Sequence, residues 1–275
     1  MKIIEPSYEI LPQNKTNEDI NQIIELAGRT AYKSEDKITE DSAVKFVEGL
    51  KKSKHYSVLE HGSIYLYCGN KKDFSNLYNR YVNNPYSQVT WYRGPRNIDE
   101  LFITTNLRVI VENSWWEDVE KYGCAITKYH PKRITVKFTT DRTISHQLVR
   151  NRIFSVTQES QRFCNYANGK FEDGIVFIKP STIEKDSGDY DLFVSWMTYS
   201  ENNYKSLIEK GYKPEVARKV LPGATKTELV MTGFQSDWNK LYKERVLGTT
   251  GRPDPDMIAL LDPLYKEHKE LFIQG

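Results

Sequence analysis

Residues 150–162 hold three arginines, Arg150, Arg152 and Arg162, and a single carboxylate, Glu159. Arginine presents a planar fork of donors that matches phosphate and imide edges. The serines and glutamines between the arginines add neutral donors. The composition of this segment fits two structures equally well, a solvated basic loop or a site for an anion joined to a heterocycle. The fold therefore has to place this segment at the surface or around a ligand.

The rest of the sequence favours a single soluble domain over residues 1–275. This length suffices for one substantial domain with a large insertion. The net charge of +2 suits neither a nucleic-acid coat nor a membrane-surface protein. No stretch approaches eighteen apolar residues, and the N-terminus has no apolar signal region. The three cysteines lack C-x-x-C spacing, which favours a reducing cytoplasm and no metal site.

Apolar periodicity predicts an α+β fold. Strands are expected at 2–11 with a break at Pro6, at 63–68, at 133–138 and at 175–180. Helices are expected at 17–32, 39–52, 70–84, 143–150, 189–210, 214–221, 227–245 and 257–272, whereas 102–114 fits a strand or a helix. Gly211 is the expected glycine just past the end of its helix.

The arginine-rich segment also resembles a known signature. Seven residues separate Arg152 from Ser160, and Ser-Gln-Arg-Phe over 160–163 completes the pattern. This is similar to the motif of the flavin-dependent thymidylate synthases, in which Arg-His-Arg, seven residues and Ser continue as Ser-x-Arg-Tyr. Asn151 stands in place of the His, and Phe163 stands in place of the Tyr.

Two further segments are similar to the same family. Residues 55–61 (HYSVLEH) resemble its His-x-(Ser/Thr)-x-x-Glu-His segment, although two histidines six residues apart are by themselves more often cap or core residues. Residues 217–222 (ARKVLP) resemble its Ala-Arg-x-x-Leu-Pro segment, and Arg245 follows at a family-like spacing. The three segments occur in the family's order.

The resemblance implies an α+β subunit that assembles as a homotetramer, with each site built from several subunits. It implies FAD as the cofactor, with NADPH and methylenetetrahydrofolate as co-substrates, and the conversion of dUMP to dTMP without an enzyme nucleophile. The protein would position the pyrimidine and stabilise its charge with fixed donors.

Carried over residue by residue, the resemblance also implies which side chains contact each ligand. The residues expected around dUMP are Gln147, Arg150, Gln158, Ser160, Gln161, Arg162, Arg218 and Arg245. Among them Arg245 is the expected catalytic residue, because a guanidinium beside pyrimidine N3 favours ionisation there. The residues expected around FAD are His55, Ser57, Arg150, Asn151, Arg152 and Gln158.

The flavin side departs from the family pattern. In addition to Asn151, the family's Asn-x-Arg in its flavin-contacting helix is replaced by Phe234-Gln-Ser236, and Lys240 stands where Asn or His is common. Each lost charge-assisted hydrogen bond is worth about 1.5–3 kcal/mol. Two alternatives therefore remain, a pyrimidine deoxynucleotide C5 hydroxymethylase and a catalytically silent nucleotide-binding homologue.

An insertion of about sixty residues, 69–132, separates strands that the family joins more directly. Loops of this length are uncommon without a role. The insertion carries aromatic and cationic residues, namely Trp91, Trp115, Trp116, Arg93 and Arg96. Because such residues are enriched at interfaces, we expect a peripheral subdomain at a subunit interface rather than a lid over a ligand.

Overall fold

The computed structural model of the chain describes residues 1–94, 99–167 and 174–272. Its strands are β1 (Lys2–Ile4), β2 (Ser7–Leu11), β3 (Ser63–Cys68), β4 (Gln88–Arg93), β5 (Asp99–Asn106), β6 (Arg133–Asp141), β7 (Ser155–Gln158), β8 (Val176–Ile178) and β9 (Lys226–Phe234). Its helices are α1 (Ile20–Tyr32), α2 (Ser42–Lys52), α3 (Lys71–Val82), α4 (Leu107–Asn113), α5 (Trp116–Tyr122), α6 (Arg142–Leu148), α7 (Gly188–Glu209), α8 (Pro214–Ala217), α9 (Gln235–Arg245), α10 (Pro255–Glu267) and α11 (Lys269–Phe272). Helices packed on mainly antiparallel sheets confirm the α+β class.

The main sheet has the strand order β2-β6-β9-β7 and is antiparallel throughout. Its two central strands, β6 and β9, pair along nine residues. Helices α9 and α10 contribute to the hydrophobic core on one face, whereas α1 packs against the other. The predicted strand at 133–138 is thus confirmed as a central strand of the fold.

The helix predicted over 227–245 is wrong in its first half, because residues 226–234 form β9 and the helix begins at Gln235. Leu229 and Met231 pack toward α9 and α10, while Val230 between them packs toward α1. A strand buried on both faces lacks the polar alternation that marks a half-buried strand. Its apolar run is therefore hard to distinguish from a buried helix.

The segment 69–132 supplies β4 and β5, which join the preceding β3 in a second antiparallel sheet with the order β3-β5-β4. Its strand β5 is central, and Leu101 and Ile103 of β5 pack in one cluster with Ile24 of α1 and Leu59. The stretch 102–114, which fits either state, divides into the end of β5 and helix α4. The segment thus shares a hydrophobic core with the residues that precede it.

The aromatic and cationic residues of this segment take different positions. Trp115 packs edge-on against Tyr81 with ring centroids 5.0 Å apart, whereas Trp91 and Trp116 are exposed. Arg93 pairs with Asp99 at 2.9 Å between Nε and Oδ1. Arg96 lies outside the described residues.

Helix α7 begins where the side chain of Ser187 accepts a hydrogen bond from the Tyr190 amide. It ends before Gly211, whose φ of +86° confirms the predicted glycine just past the helix end. In the ranges that the structure describes, no helix combines the length and apolar character needed to cross a membrane.

Candidate active site

Helix α6 and the loop 221–223 form the walls of the first candidate cavity. Asp141, the last residue of β6, caps α6 by accepting a hydrogen bond from the Ile144 amide at 2.8 Å. The backbone amide of Arg142, the residue after Asp141, donates to the carbonyl oxygen of Gly223 at 2.9 Å. A Cβ atom on Gly223 would approach Thr143 Oγ1 to 2.4 Å, so glycine permits this close contact. The end of the strand therefore fixes α6 against the loop.

The cavity between these walls has a volume of about 430 Å³, which falls in the range of small-molecule sites. Its lining residues are Arg142, Thr143, His146, Gln147, Arg150, Leu221, Pro222 and Gly223. The helix side supplies cations and amides, and the loop side supplies apolar surface. A ligand with an anionic group and a planar ring matches this division.

A second cavity of about 440 Å³ adjoins the first, since Gln147 lines both. Gln147 Nε2 donates to Asp254 Oδ2 at 2.7 Å, and Arg245 lines the same cavity. The Nε atom of Arg245 is buried and, within the described residues, has no hydrogen-bond partner. Gln147, Arg150 and Arg245, all expected around dUMP, are thus brought together.

Gln158 and Gln161 are held inside the protein, close to α6. Gln158 Nε2 donates to the hydroxyl oxygens of Ser145 at 2.9 Å and Thr227 at 3.1 Å. Gln161 is 3% exposed, and its Oε1 accepts a hydrogen bond from Arg142 Nη1 at 2.7 Å. These bonds connect the segment 158–161 to the helix that lines both cavities.

Ser160 and Arg162 do not line either cavity. The Ser160 amide donates to the carbonyl oxygen of Ala31 in α1 at 2.9 Å. The Arg162 side chain is 60% exposed, and its Nε lies 3.2 Å from Glu215 Oε2 of α8. Both residues therefore belong to the surface beside α1 and α8.

Glu159, the carboxylate within the motif, is fully buried and directed into the protein. Its Oε1 accepts a hydrogen bond from the Tyr166 hydroxyl at 2.7 Å, and its Oε2 accepts one from Lys226 Nζ at 3.0 Å. Burial and the neighbouring carboxylate raise the pKa of Tyr166, so the phenol keeps the proton that it donates. Glu159 therefore has a structural role in this fold.

Apart from Gln158, which ends β7, the residues expected around FAD lie on turns or at the start of a 3-10 helix. His55 precedes the 3-10 helix 56–61, and Ser57 lies in its first turn. Both are exposed, and neither side chain forms a hydrogen bond within the described part of the chain. Arg150 and Arg152 are exposed beyond the end of α6. Asn151 instead turns back to the helix, where its Nδ2 donates to the Leu148 carbonyl oxygen at 3.0 Å.

Residues 234–236, which stand in place of the family's Asn-x-Arg, contact the segment 69–132 through Ser236. Ser236 Oγ accepts a hydrogen bond from Gln88 Nε2 of β4 at 2.9 Å. Phe234 is buried, and the guanidinium carbon of Arg133 lies 5.7 Å from the centre of its ring. Lys240 approaches Glu244 at 3.9 Å on the surface of α9. These side chains are thus engaged with other parts of this chain.

Two cations near the site were missed by sequence reasoning, Arg142 and Arg133. Burial, and second the positive charge of Arg218, lower the pKa of Arg142. Burial lowers the pKa of Arg133 to about 10, and its guanidinium donates to the Glu60 carbonyl oxygen at 2.8 Å. Arg142 is the first residue of α6 and Arg133 is the first residue of β6. Both lie outside the motif, where only the fold reveals their neighbours. In the described ranges, no group of three or more His, Cys, Asp or Glu side chains could hold a metal ion.

Comparison with protein families identifies one model, described as thymidylate synthase complementing protein, that matches residues 130–271. The match covers just over half of the 275 residues.

Known proteins give a similar result. The flavin-dependent thymidylate synthase of Pyrococcus furiosus is 33% identical over 159 residues, which cover 55% of this chain and 62% of that protein. The enzyme of the same name from Pyrococcus abyssi is 31% identical with the same coverages. The chain thus spans less than two thirds of the length of these curated relatives. A UMP/dUMP methylase, PolB from Streptomyces cacaoi bound with 5-Br dUMP, aligns over 98% of this chain and 93% of its own at 14% identity, with a TM-score of 0.46.

Proposed function

This chain belongs to the family of thymidylate synthase complementing proteins, and from that premise we propose that it converts dUMP to dTMP. FAD is the proposed cofactor, and NADPH and methylenetetrahydrofolate are the proposed co-substrates. The observation that carries the proposal is the pair of adjoining cavities that share Gln147 and present Arg150 and Arg245. Cationic and amide donors beside apolar surface suit a nucleotide monophosphate.

In this proposal the protein binds and polarises the pyrimidine. Arg245 has a buried Nε without a partner in the described chain, which makes it available to a ligand oxygen. A guanidinium beside the imide stabilises negative charge at N3. Gln147 is oriented by Asp254, so its position is fixed before the ligand arrives. Fixed donors reduce the reorganisation needed during the reaction.

The surface positions of Ser160 and Arg162 support a proposed homotetramer. These residues retain the signature but lie outside both cavities of their own chain. A site built from several subunits would place them against a neighbouring chain's cavity.

We propose that the insertion 69–132 of the single domain also packs at a subunit interface, since Trp91 is 55% exposed. A cytoplasmic location is part of the same proposal, since it would give the enzyme access to NADPH and nucleotides.

The side chains on the flavin side fit an anionic cofactor in part. Arg150 and Arg152 are exposed guanidiniums, and such groups bind diphosphate oxygens. His55 and Ser57 are exposed and available to the same cofactor. Bound and reduced FAD would supply the electrons that complete the methyl group. Asn151 is occupied by the end of α6 and contributes less.

The altered flavin side favours a second candidate, a C5 hydroxymethylase acting on the same nucleotide. Ser236 is bonded to Gln88 and Phe234 is buried, so neither position presents the family's amide or cation. Transfer of a hydroxymethyl group needs no reduction of the one-carbon unit. If the altered flavin side prevents FAD binding altogether, the chain would be a catalytically silent homologue that still binds the nucleotide.

The proposal is tested by ligand binding followed by product analysis. At 100 times its dissociation constant, dUMP should stabilise the folded protein by about 2.7 kcal/mol, measured as a rise in melting temperature. Mass spectrometry after incubation with dUMP, methylenetetrahydrofolate, NADPH and FAD should then detect dTMP. Hydroxymethyl-dUMP as the product would favour the second candidate. The absence of any thermal shift with millimolar dUMP, dTMP or dCMP would contradict all three candidates: the synthase, the hydroxymethylase and the silent nucleotide-binding homologue.

A further inference from the structure

Helix α7 carries exposed apolar side chains on a side of the helix that does not pack in the core. Leu192, Trp196 and Tyr199 follow one another at intervals of four and three residues, so they lie along one side of the helix. Each of them is between 58% and 62% exposed. The rings of Trp196 and Tyr199 meet edge to face, with centroids 6.2 Å apart. These three side chains form the α7 stripe.

The packing of α7 within the chain does not explain the α7 stripe. The core side of the helix presents Met197 and Tyr204, which are buried in one cluster with Phe177 of β8. A helix that packs on one side normally presents polar residues elsewhere. Exposed hydrophobic residues that adjoin one another, unlike scattered single ones, mark a contact surface. A second side of α7 is therefore suited to a partner.

The charges at the two ends of α7 indicate what that partner is. Asp189 lies in the first turn, Lys210 lies at the C-terminal cap, and both are exposed. They are about six helical turns apart and so lie near the same side of the helix. Among the residues that the structure describes, neither side chain has an ion-pair partner. A second copy of α7 laid antiparallel would bring each Asp189 opposite a Lys210.

The arrangement that pairs these charges also buries the aromatic residues. The midpoint of 189 and 210 falls between Tyr199 and Ser200. A two-fold axis at this point places Tyr199 of each copy at the centre of the contact, and Trp196 lies within about one turn of it. Every contact then occurs twice, as in any two-fold interface. Charge pairing and apolar burial thus require the same geometry.

We propose that the α7 stripe is an interface at which a second copy of this chain binds, with the two helices antiparallel across a two-fold axis. The four aromatic side chains of two copies, each about three-fifths exposed, would bury roughly 500 Å². This is a large share of the about 1,200 Å² that a specific interface needs. Trp and Tyr are also the residues that most often dominate the binding energy of an interface.

This interface is separate from the proposed reaction. None of the three residues of the α7 stripe lines either of the two cavities. The association would therefore persist whether or not the chain converts dUMP. In a tetramer with dihedral symmetry it would supply one of the two-fold contacts.

The first experiment compares wild type, Trp196→Ser and Val44→Ser by sedimentation equilibrium over a range of protein concentrations. Trp196→Ser removes two aromatic side chains from a two-fold contact, so the dissociation constant of the assembly should rise at least about 100-fold. Val44, an apolar residue of α2 that is 54% exposed, is the matched control, and Val44→Ser should change this constant less than about 3-fold. Because both residues are exposed in the single chain, circular dichroism should show the same fold for both variants.

The second experiment exchanges the charges with Asp189→Lys and Lys210→Asp. Either substitution alone brings like charges together twice and should raise the dissociation constant roughly 10-fold. The double variant restores both pairs and should return to within about 3-fold of wild type. Charges of the wild-type signs also stabilise an isolated helix. That effect alone predicts the opposite result, because the double variant reverses both ends and would show no recovery.

Each outcome decides between these explanations. A monomeric wild type, or equal dissociation constants for wild type and Trp196→Ser, would overturn the interface. A double variant without recovery would overturn the antiparallel arrangement that defines it. A wild-type dimer that Trp196→Ser dissociates would support the interface and contradict only the proposed homotetramer. Recovery in the double variant without any conversion of dUMP would support the interface and contradict only the proposed function.

Discussion

His61 Nε2 lies 2.9 Å from the hydroxyl oxygen of Thr157 in β7, although the two residues are 96 positions apart. The other ring nitrogen of His61 lies 2.8 Å from the hydroxyl oxygen of Thr232 in β9. One buried imidazole thus connects the turn that carries His55 and Ser57 to two strands of the main sheet. The positions of His55 and Ser57, which are expected around FAD, therefore depend on this ring.

Acidification should therefore destabilise the protein through His61. Burial, and second the charge of Arg133, lower the pKa of His61 from 6.5 to about 3. Below pH 6.5 the unfolded chain binds a proton at His61, whereas the folded chain does not. The contribution of neutral His61 to the free energy of unfolding is therefore fully present above pH 6.5 and falls as the pH is lowered to about 3. Between pH 7 and pH 5 the loss should be about 2 kcal/mol. Urea unfolding at several pH values measures it.

The matched variant is His61→Gln, which removes the titrating ring. It should be less stable at pH 7 and lose most of the slope between pH 6.5 and 5. His130, whose pKa is also lowered by burial, remains and accounts for a residual slope of the same sign. Identical slopes in wild type and variant would show that His61 is not the titrating group.

Glu228 should be an important charge for stability. Its carboxylate lies 2.8 Å from Lys33 Nζ, 2.8 Å from Lys137 Nζ and 2.6 Å from Lys226 Nζ. Burial alone would raise its pKa, but the three ammonium groups outweigh burial and lower it. Glu228→Gln removes the carboxylate that three partly buried lysines share and leaves them only Glu35 and Glu159 as ion-pair partners. It should therefore cost about 3 kcal/mol in denaturant unfolding, the lower end of the range for a broken buried pair.

Glu35 provides the control for this substitution. It also contacts Lys33, at 3.2 Å, and Lys137, at 3.7 Å, but its side chain is more exposed. Glu35→Gln should therefore cost less than about 1 kcal/mol. Similar losses for both variants would mean that burial does not strengthen the Glu228 cluster.

Ser160 should act as a ligand donor and not as a nucleophile. A nucleophilic serine needs a base within hydrogen-bond reach, and the adjacent carboxylate of Glu159 is bound to Tyr166 and Lys226. Ser160→Ala should retain turnover and raise the nucleotide dissociation constant by roughly 10-fold, as expected for one lost hydrogen bond to a charged group. Mass spectrometry of quenched wild-type turnover should find no nucleotide attached to residue 160. Such an adduct would refute this role.

FAD should bind more weakly here than in family members with the complete signature. Asn151 donates to its own helix and Ser236 bonds to Gln88, so neither contributes a cationic donor to the anionic cofactor. The purified protein should be partly colourless and should turn yellow when FAD is added. Stoichiometric FAD that survives dialysis would disprove this expectation and would point to compensating contacts.

The sequence predicts much of the local structure, because helix ends and half-buried strands leave local signals. The glycine at 211 marks the end of α7, and the charged and apolar alternation of 133–138 marks β6. The same reasoning predicts a helix where β9 lies, because the two buried faces of this strand remove the alternation. Helix α1 begins at Ile20, three residues after the predicted start, because Thr16 accepts hydrogen bonds from the Glu18 and Asp19 amides in a turn before the helix.

The candidate site could be predicted only where its residues belong to a recognisable motif. Similarity to the family's segments predicts Gln147, Arg150 and Arg245 as site residues, and the fold brings them to adjoining cavities. The bond between Arg142 and Gln161 joins the first residue of α6 to a residue 19 positions later, in the turn after β7. No periodicity records such a contact, because it arises when separate elements pack together.

The bond from Gln88 to Ser236 restricts how this protein can be recombined with its relatives. A chimera that restores the family's Asn-x-Arg in place of Phe234-Gln-Ser236 would leave the amide of Gln88 facing a foreign side chain. A chimera that deletes 69–132 would remove the partner of Ser236 and uncover β3 at once. Grafting experiments should therefore exchange the second sheet and the start of α9 together as one cassette.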